Sequence, residues 1–283
     1  MDEWKVKIKR ACSLVITNPG ALYNFFRKLI WSNLFPPKSG DILVNGIVFN
    51  IDLKLDSAMK DMYYGTYQAE VISVLKKYLH PGDVFIDIGA NVGYVSTFAL
   101  GCVGKNGEVH SFEPVPKYFE RLKYVKDKNA GHHIFINNVA LGEKEKLENI
   151  AVTNLANIGW NTLVPGFMPK DTIGESVEVK VSTLDKYLSL NKIDNVRLIK
   201  IDVEGYEFPV LKGAQQYFQK TKRLPILLVE VAPSAYPNLK LSLSELGELM
   251  ASFGYTAYGI DFKEKINIAA LVDTTDVVFL PRN

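Results

Sequence analysis

The chain reads as an α/β protein built on a doubly wound, mostly parallel sheet, and three stretches predict it. Residues 82–94 run as apolar strand, glycine turn and apolar helix. Residues 108–128 repeat the strand-then-helix order, and residues 199–204 and 227–231 add strands whose ends carry acids. Strands that alternate with helices pair in parallel through crossovers. The first strand, Val84–Ile88, is apolar on both faces apart from Asp87, as expected when helices cover both sides of a sheet. It breaks at Gly89, and Gly89 and Gly93 bracket Ala90, Asn91 and Val92 before an apolar helix over 92–100. Such a turn aims backbone N–H groups and a helix N-terminus at the crevice.

What the loop lacks narrows the ligand. A dinucleotide fingerprint needs glycine at its first, third and sixth places; here the third is Asn91 and the sixth Tyr94. Asn tolerates left-handed backbone angles but keeps a side chain in the way, which suits an amino-acid carboxylate better than a diphosphate. S-adenosyl-L-methionine offers a carboxylate, an ammonium, a ribose and an adenine. The amides of Gly89, Ala90 and Asn91 are candidates for the carboxylate, and Asp87 for the ammonium, directly or through water. Glu113 ends the second strand 20 residues after Gly93, about the spacing at which an acid holds ribose hydroxyls. Taken by itself it is equally a solvated strand-end carboxylate; the preceding glycine loop favours the ribose.

Composition bounds the rest. With 283 residues, 47% of them apolar, the chain can bury a large core. A net charge of +2 argues against a nucleic-acid substrate. Cys12 and Cys102 have no metal-type spacing and suggest no disulfide framework, so a reducing, cytoplasmic setting is expected. No apolar run is long enough to span a bilayer, and the start of the chain does not read as a secretory signal.

Residues 1–80 form the expected lead-in and 81–283 the main domain. Within 1–38, seven bases face two acids, and Trp4, Phe25, Phe26, Trp31 and Phe35 interleave with them. Asn18-Pro19-Gly20 splits this into two short helices. One reading is peripheral docking on the inner face of an anionic membrane or on a lipid-linked acceptor; the other is a helical cap on the main domain or on a second subunit, so a homo-oligomer stays open. Asn45-Gly46 between two apolar runs predicts a hairpin with a type I′ turn. Residues 56–79 read as helix, interrupted near Tyr63-Tyr64-Gly65, where aromatic rings line the crevice mouth or simply pack.

Beyond Glu113, residues 116–128 read as helix and 133–141 as the third strand, ending in Asn138-Val139-Ala140. Asn138 is a candidate for the adenine edge, or a turn-forming side chain. Residues 142–182 read as a long loop leading into a strand at 177–181, a substrate-side cover with Trp160 and Asn161 facing a sugar-like acceptor. None of His80, His110, His132 and His133 falls at a catalytic strand end. The last helix is expected over 239–253 and the last strands at 255–260 and 276–280.

Strand periodicity in 199–204 puts Ile199, Ile201 and Val203 on one face and Lys200, Asp202 and Glu204 on the other. Three charges enter a parallel sheet only if they pair or open onto a cleft. Asp87 and Glu230 supply partners at the same sheet edge. A structural ion-pair cluster is the alternative.

Together, Asp87-Ile-Gly89-Ala-Asn91-Val-Gly93, Phe112-Glu113-Pro114, Asn138-Val139-Ala140-Leu141 and Lys200-Ile-Asp202-Val-Glu204-Gly205-Tyr-Glu207, followed by Val210-Leu-Lys-Gly-Ala214, resemble the FkbM family of S-adenosylmethionine-dependent methyltransferases over roughly residues 80–232. The resemblance implies a class I, Rossmann-like, seven-stranded sheet with an antiparallel last strand. It also implies O-methylation of a small-molecule acceptor, a sugar, glycan or natural product, with S-adenosyl-L-homocysteine as coproduct. An alcohol acceptor must lose a proton, so a base or a metal is needed. The base is expected to be Glu204 or Asp202, tuned by Lys200; alternatively Asp202, Glu204 and Glu230 gather a Mg²⁺ that binds the acceptor oxygen. Two rivals stay open: a nicotinamide-dependent oxidoreductase, which the missing third glycine opposes, and a non-catalytic nucleoside-binding protein.

Overall fold

The computed structural model describes residues 36–154 and 159–282. The two basic helices expected in residues 1–38 therefore fall almost wholly outside the described residues. The chain enters through a hairpin, β1 (Gly40–Val44) and β2 (Ile47–Ile51). Asn45 and Gly46 both adopt positive φ at its turn, as a type I′ connection requires. Two helices follow, α1 (Ala58–Tyr64) and α2 (Ala69–Tyr78), separated by a left-handed Gly65 that caps the first.

Next come β3 (Val84–Ile88), α3 (Tyr94–Val103), β4 (Glu108–Phe112), α4 (Pro116–Lys128) and β5 (His133–Asn137). Helix α3 is buried almost all round. Its inner face lies on the sheet, while the hairpin and α2 cover its outer face. Asn45 Nδ2 donates to the Phe98 carbonyl at 3.1 Å. Asn129 exchanges two hydrogen bonds of 2.9 Å with the backbone of Val48. Residues 40–79 thus share one apolar core with the sheet.

The third strand predicted over 133–141 is divided. β5 ends at Asn137, and β6 (Ala140–Leu141) joins a different sheet. Asn138 makes the break by donating its amide to the carbonyls of Glu113 (2.9 Å) and Pro114 (3.0 Å). The long loop predicted over 142–182 is also corrected. It contains β7 (Lys146–Thr153), β8 (Asn161–Thr162) and β9 (Ile173–Ser182), which with β6 form a small sheet in the order β6-β9-β7-β8. Its polar turn residues mask a β7–β9 ladder whose alternation is uneven, with Val152 opposite Glu175 and a register shift beside it.

The remaining elements are α5 (Leu184–Asn191), β10 (Leu198–Ile201), α6 (Glu207–Lys212), α7 (Gln215–Lys220), β11 (Ile226–Val231), α8 (Leu243–Ser252), β12 (Tyr255–Gly259) and β13 (Thr275–Pro281). The helix expected over 239–253 begins later, because a 3-10 turn over Pro233–Leu239 precedes a Ser242–Glu245 capping box. The seven-stranded sheet runs β12-β13-β11-β10-β3-β4-β5. Only β13 opposes its neighbours, pairing antiparallel with both β11 and β12. This is the seven-stranded, mostly parallel sheet with an antiparallel last strand that the resemblance implied. No helix among the described residues is long and apolar enough to cross a membrane.

One glycine shows how tightly the strand ends meet. Gly89 has φ +78°, and a Cβ there would stand 1.9 Å from the Asp202 carbonyl oxygen. Gly89→Ala is therefore expected to destabilise the protein by about 3 kcal/mol in urea unfolding, through backbone strain and overlap together. Gly131→Ala, which has open space around it, should shift stability by less than about 0.5 kcal/mol.

Candidate active site

A cleft of about 250 Å³ opens at the carboxyl ends of β3, β4 and β10. This is the edge where open α/β sheets place ligands. Its floor rests on charges set across three adjacent strands, where Asp87 of β3 is in register with Lys200 of β10 and Ser111 of β4. Asp87 is 0% and Lys200 3% exposed. The Lys200 ammonium lies 3.4 Å from Asp87 and 3.2 Å from Asp202, and donates to the Gly89 carbonyl at 3.3 Å. Burial opposes its charge, but the Asp202 and Asp87 carboxylates outweigh burial and hold its proton well above the ordinary lysine range. Ser96 of α3 donates to the other Asp87 oxygen at 2.6 Å.

Asp87 is thus a buried counter-ion and does not line the cleft, so the direct contact with an ammonium expected for it is not open to it here. The loop amides expected to take a carboxylate are also engaged. Gly89 and Ala90 donate to Phe112, Asn91 to Glu113, Val92 to the Asn91 side chain, and Gly93 to Ala90. The loop folds onto the end of β4, and Asn91, at φ 52°, uses its side chain to close the turn. Bonding within α3 starts with Thr97 donating to Gly93, so the helix's first N–H groups, from Tyr94 on, are the ones a carboxylate would meet. The loop residues Gly89, Ala90 and Asn91 do line the cleft, whereas Gly93 sits behind it, where a Cβ would meet Leu122 at 2.6 Å.

Glu113 lines the same wall. One of its oxygens accepts from Asn91 N at 2.9 Å and the other from Val115 N at 2.8 Å. Burial outweighs those two donors and pushes its carboxyl up to about 7. Val139, Ala140 and Leu141 continue the wall, while Asn138 is spent on holding the strand end and does not line it.

The opposite half of the cleft is acidic. β10 ends at Ile201, earlier than the predicted strand. Asp202 extends the ladder by one bond to Ile88, and then Glu204 at φ 51° and Gly205 at φ 97° turn the chain. Lys200, Asp202 and Glu204 still converge, and Glu230 joins them from β11. Carboxylate oxygens of Asp202, Glu204 and Glu230 lie within 4.8 Å of one another. Burial, then the Asp202 charge, pushes Glu204 up to about 8. The Asp202 charge, then burial, raises Glu230 strongly. Burial pushes Asp276, in register with Glu230, to about 6, with Asp202 adding to the rise. Protons shared among these acids relieve the crowding.

Sequence reasoning missed several residues at the site. Tyr67 and Gln68 line the cleft from the α1–α2 connection, and Gln68 Nε2 donates to Asp202 at 3.1 Å. The two aromatics flagged nearby, Tyr63 and Tyr64, pack edge to face on each other and do not line the cleft, whereas Tyr67, not among them, does line it and packs on Tyr94. Asn161 reaches the wall but Trp160 does not. Glu207, fully buried at the start of α6, accepts from Gly205 N at 2.7 Å. Burial pushes its carboxyl up to about 8. His110 lies away from the cleft, bonded to Tyr187 at 2.8 Å and stacked on Phe135.

The family described as "Methyltransferase FkbM domain" matches residues 87–257, more than half of the chain. Among curated proteins, the hexuronic acid methyltransferase AglP of Haloferax volcanii is 26% identical over 171 residues, covering 60% of this chain and 65% of that protein. The 31-O-demethyl-FK506 methyltransferase FkbM of Streptomyces tacrolimicus is 29% identical over 170 residues, covering 48% and 61%. The chain thus spans less than two thirds of the length of either relative. Among solved structures, a precorrin-6y C5,15-methyltransferase of Geobacter metallireducens superposes with a TM-score of 0.42 at 14% identity, covering 83% of this chain and 94% of that one. A SAM-dependent methyltransferase of Aquifex aeolicus does so with 0.41 at 12%, covering 74% and 87%.

The raised carboxyls set a pH dependence. Glu113, Glu204 and Glu207 keep protons in the folded protein up to about 7, 8 and 8, against 4.5 as the ordinary value. Between those limits the native state binds more protons than the unfolded chain, so their contribution to stability is complete below about 4.5 and is lost as pH rises towards 8. Glu207→Gln keeps the acceptor for Gly205 but removes one titration. Its urea midpoint is expected to fall less steeply than that of wild type between pH 5 and 8.

Proposed function

The chain belongs to the FkbM methyltransferase family, and from that premise we propose that it transfers a methyl group from S-adenosyl-L-methionine to a hydroxyl of a glycan or natural-product acceptor. The observation that carries the reading is the division of one cleft into two chemistries. The Gly89–Asn91 loop, Glu113 and the 139–141 segment form one wall, and Asp202, Glu204 and Glu230 stand opposite. The first suits a nucleoside with an amino-acid tail. The second suits an acceptor that must give up a proton.

The donor supplies an activated methyl on a sulfonium, and transfer is an in-line displacement that rewards alignment in a water-poor space. In this reading Glu113 holds the ribose hydroxyls: each of its oxygens accepts one backbone N–H and keeps a lone pair for a second donor. Val139 and its neighbours pack against the adenine. Glu204 is the base, because it lines the cleft and its proton affinity, near 8, lies close to working pH. Asp202, paired to Lys200 and Gln68, stands close enough to raise the proton affinity of Glu204. Of the two relatives, the one named for 31-O-demethyl-FK506 supports an oxygen acceptor, and the one named for a hexuronic acid supports a sugar-type acceptor, which offers a carboxyl as well as hydroxyls.

Calorimetry is expected to show uptake of S-adenosylmethionine and S-adenosylhomocysteine but not of NADH; no uptake of either nucleoside overturns the reading. With tritiated donor and a panel of glycosides, including methyl β-D-glucopyranoside and methyl β-D-glucuronide, Glu204→Gln should lower transfer at least about a hundredfold while leaving S-adenosylhomocysteine affinity unchanged. Full transfer in that variant removes Glu204 as the base. Loss of transfer on chelation, restored by Mg²⁺, would shift the role of the three acids to holding a cation.

A further inference from the structure

Glu204 carries a side chain at φ 51°, in a region that residues with a Cβ rarely occupy. Such a conformation persists only where the surroundings over-determine it. Gly205 follows at φ 97°, and a Cβ there would stand 2.3 Å from the Ala235 methyl, so the turn is pressed against its neighbour. Two polar groups fasten it. Glu207 Oε1 accepts the Gly205 N–H at 2.7 Å from within the same turn. Thr162 Oγ1, from the small sheet 42 residues earlier, donates to the Glu204 carbonyl at 2.7 Å.

The Thr162 contact is built for that job. Thr162 is 1% exposed, and its hydroxyl oxygen also accepts Val164 N at 3.0 Å, which fixes the direction of its proton towards Glu204. β8 holds it in place through pairing of Thr162 with Ala151 and Asn161 with Val152 on β7. Its neighbours Asn161 and Leu163 line the cleft. A segment that lines the cleft on both sides of Thr162 is therefore hydrogen-bonded to the backbone of the residue read as the base.

We propose that Thr162 is a positioning residue: its hydroxyl, held by the small sheet, locks the left-handed turn that presents the Glu204 carboxylate to the acceptor. The proposal rests on the methyltransferase reading for its chemistry, although the lock itself is a property of the fold. It makes the small sheet part of the catalytic apparatus and ties acceptor binding under 161–163 to the setting of Glu204.

The test compares full-length wild type, Thr162→Val, Thr162→Ser and Glu207→Gln. Thr162→Val is close in size but has no hydroxyl. By hydrogen-exchange mass spectrometry it is expected to raise exchange in peptides spanning 202–207 about tenfold, with peptides from β11 unchanged, and Thr162→Ser should restore protection. Glu207→Gln, which retains the acceptor, should stay protected. In methyl transfer to the best glycoside of the panel, Thr162→Val should lower kcat about tenfold with donor KM and S-adenosylhomocysteine affinity unchanged. Wild-type exchange over 202–207 in Thr162→Val overturns the proposal, as does a serine variant that stays unprotected. Should the wild type bind no S-adenosylhomocysteine, the methyltransferase reading fails, and the exchange result still decides whether Thr162 locks the turn.

Discussion

The buried Lys200–Asp87 pair is the constraint from which the cleft follows. Two side chains in register on neighbouring central strands, nearly inaccessible to water, must neutralise each other. Either one alone would leave an uncompensated charge under the sheet edge, a penalty of about 3–5 kcal/mol. The ammonium has a third contact, the Gly89 carbonyl, so the same cation also fastens the glycine loop. It further touches Asp202, the first residue beyond β10, and so draws the acidic turn to the loop. One lysine thereby sets the distance between the two walls. Ser96 extends the arrangement into α3, and its contact with Ser111 at 2.8 Å closes it on β4.

The same economy explains the crowd of acids. Asp202 pairs with Lys200, and Glu204, Glu230 and Asp276 all hold protons more tightly than free carboxyls do. The cost of placing carboxyls together falls on their neutral forms, which a packed interior tolerates far better than a second anion. A group that retains its proton near neutral pH is also one that exchanges it readily, so the device that limits electrostatic strain leaves acid–base chemistry available.

Much of the fold was legible because its signals are local. Asn45-Gly46 specifies its turn by backbone geometry alone, and the strand Val84–Ile88 is apolar on both faces apart from Asp87. The convergence of Lys200, Asp202 and Glu204 follows from strand period and from the cost of burying unpaired charge. What sequence reasoning missed depends on contacts between distant segments. Asp87 reads as a ligand-facing strand end until Lys200 and Ser96 are seen to enclose it. Asn138 has the features of a base-reading amide, but the Glu113 and Pro114 carbonyls claim it first. The small sheet escaped because its strands are short or irregular and bounded by polar residues, and no local pattern shows that Gln68 reaches Asp202 across 134 positions.

The placement of the hairpin and α2 over α3 has a consequence for anyone who cuts this protein. The homologous segment starts at residue 87, yet α3 is apolar on the side that β1, β2 and α2 cover, and Gly101 approaches the Asn45 carbonyl so closely that a Cβ would stand 2.2 Å from it. A fragment trimmed to the recognisable homology would spill that helix face into water and remove Tyr67 and Gln68 from the cleft. The smallest unit that keeps this cleft intact therefore reaches back to the hairpin, well before the start of the family match.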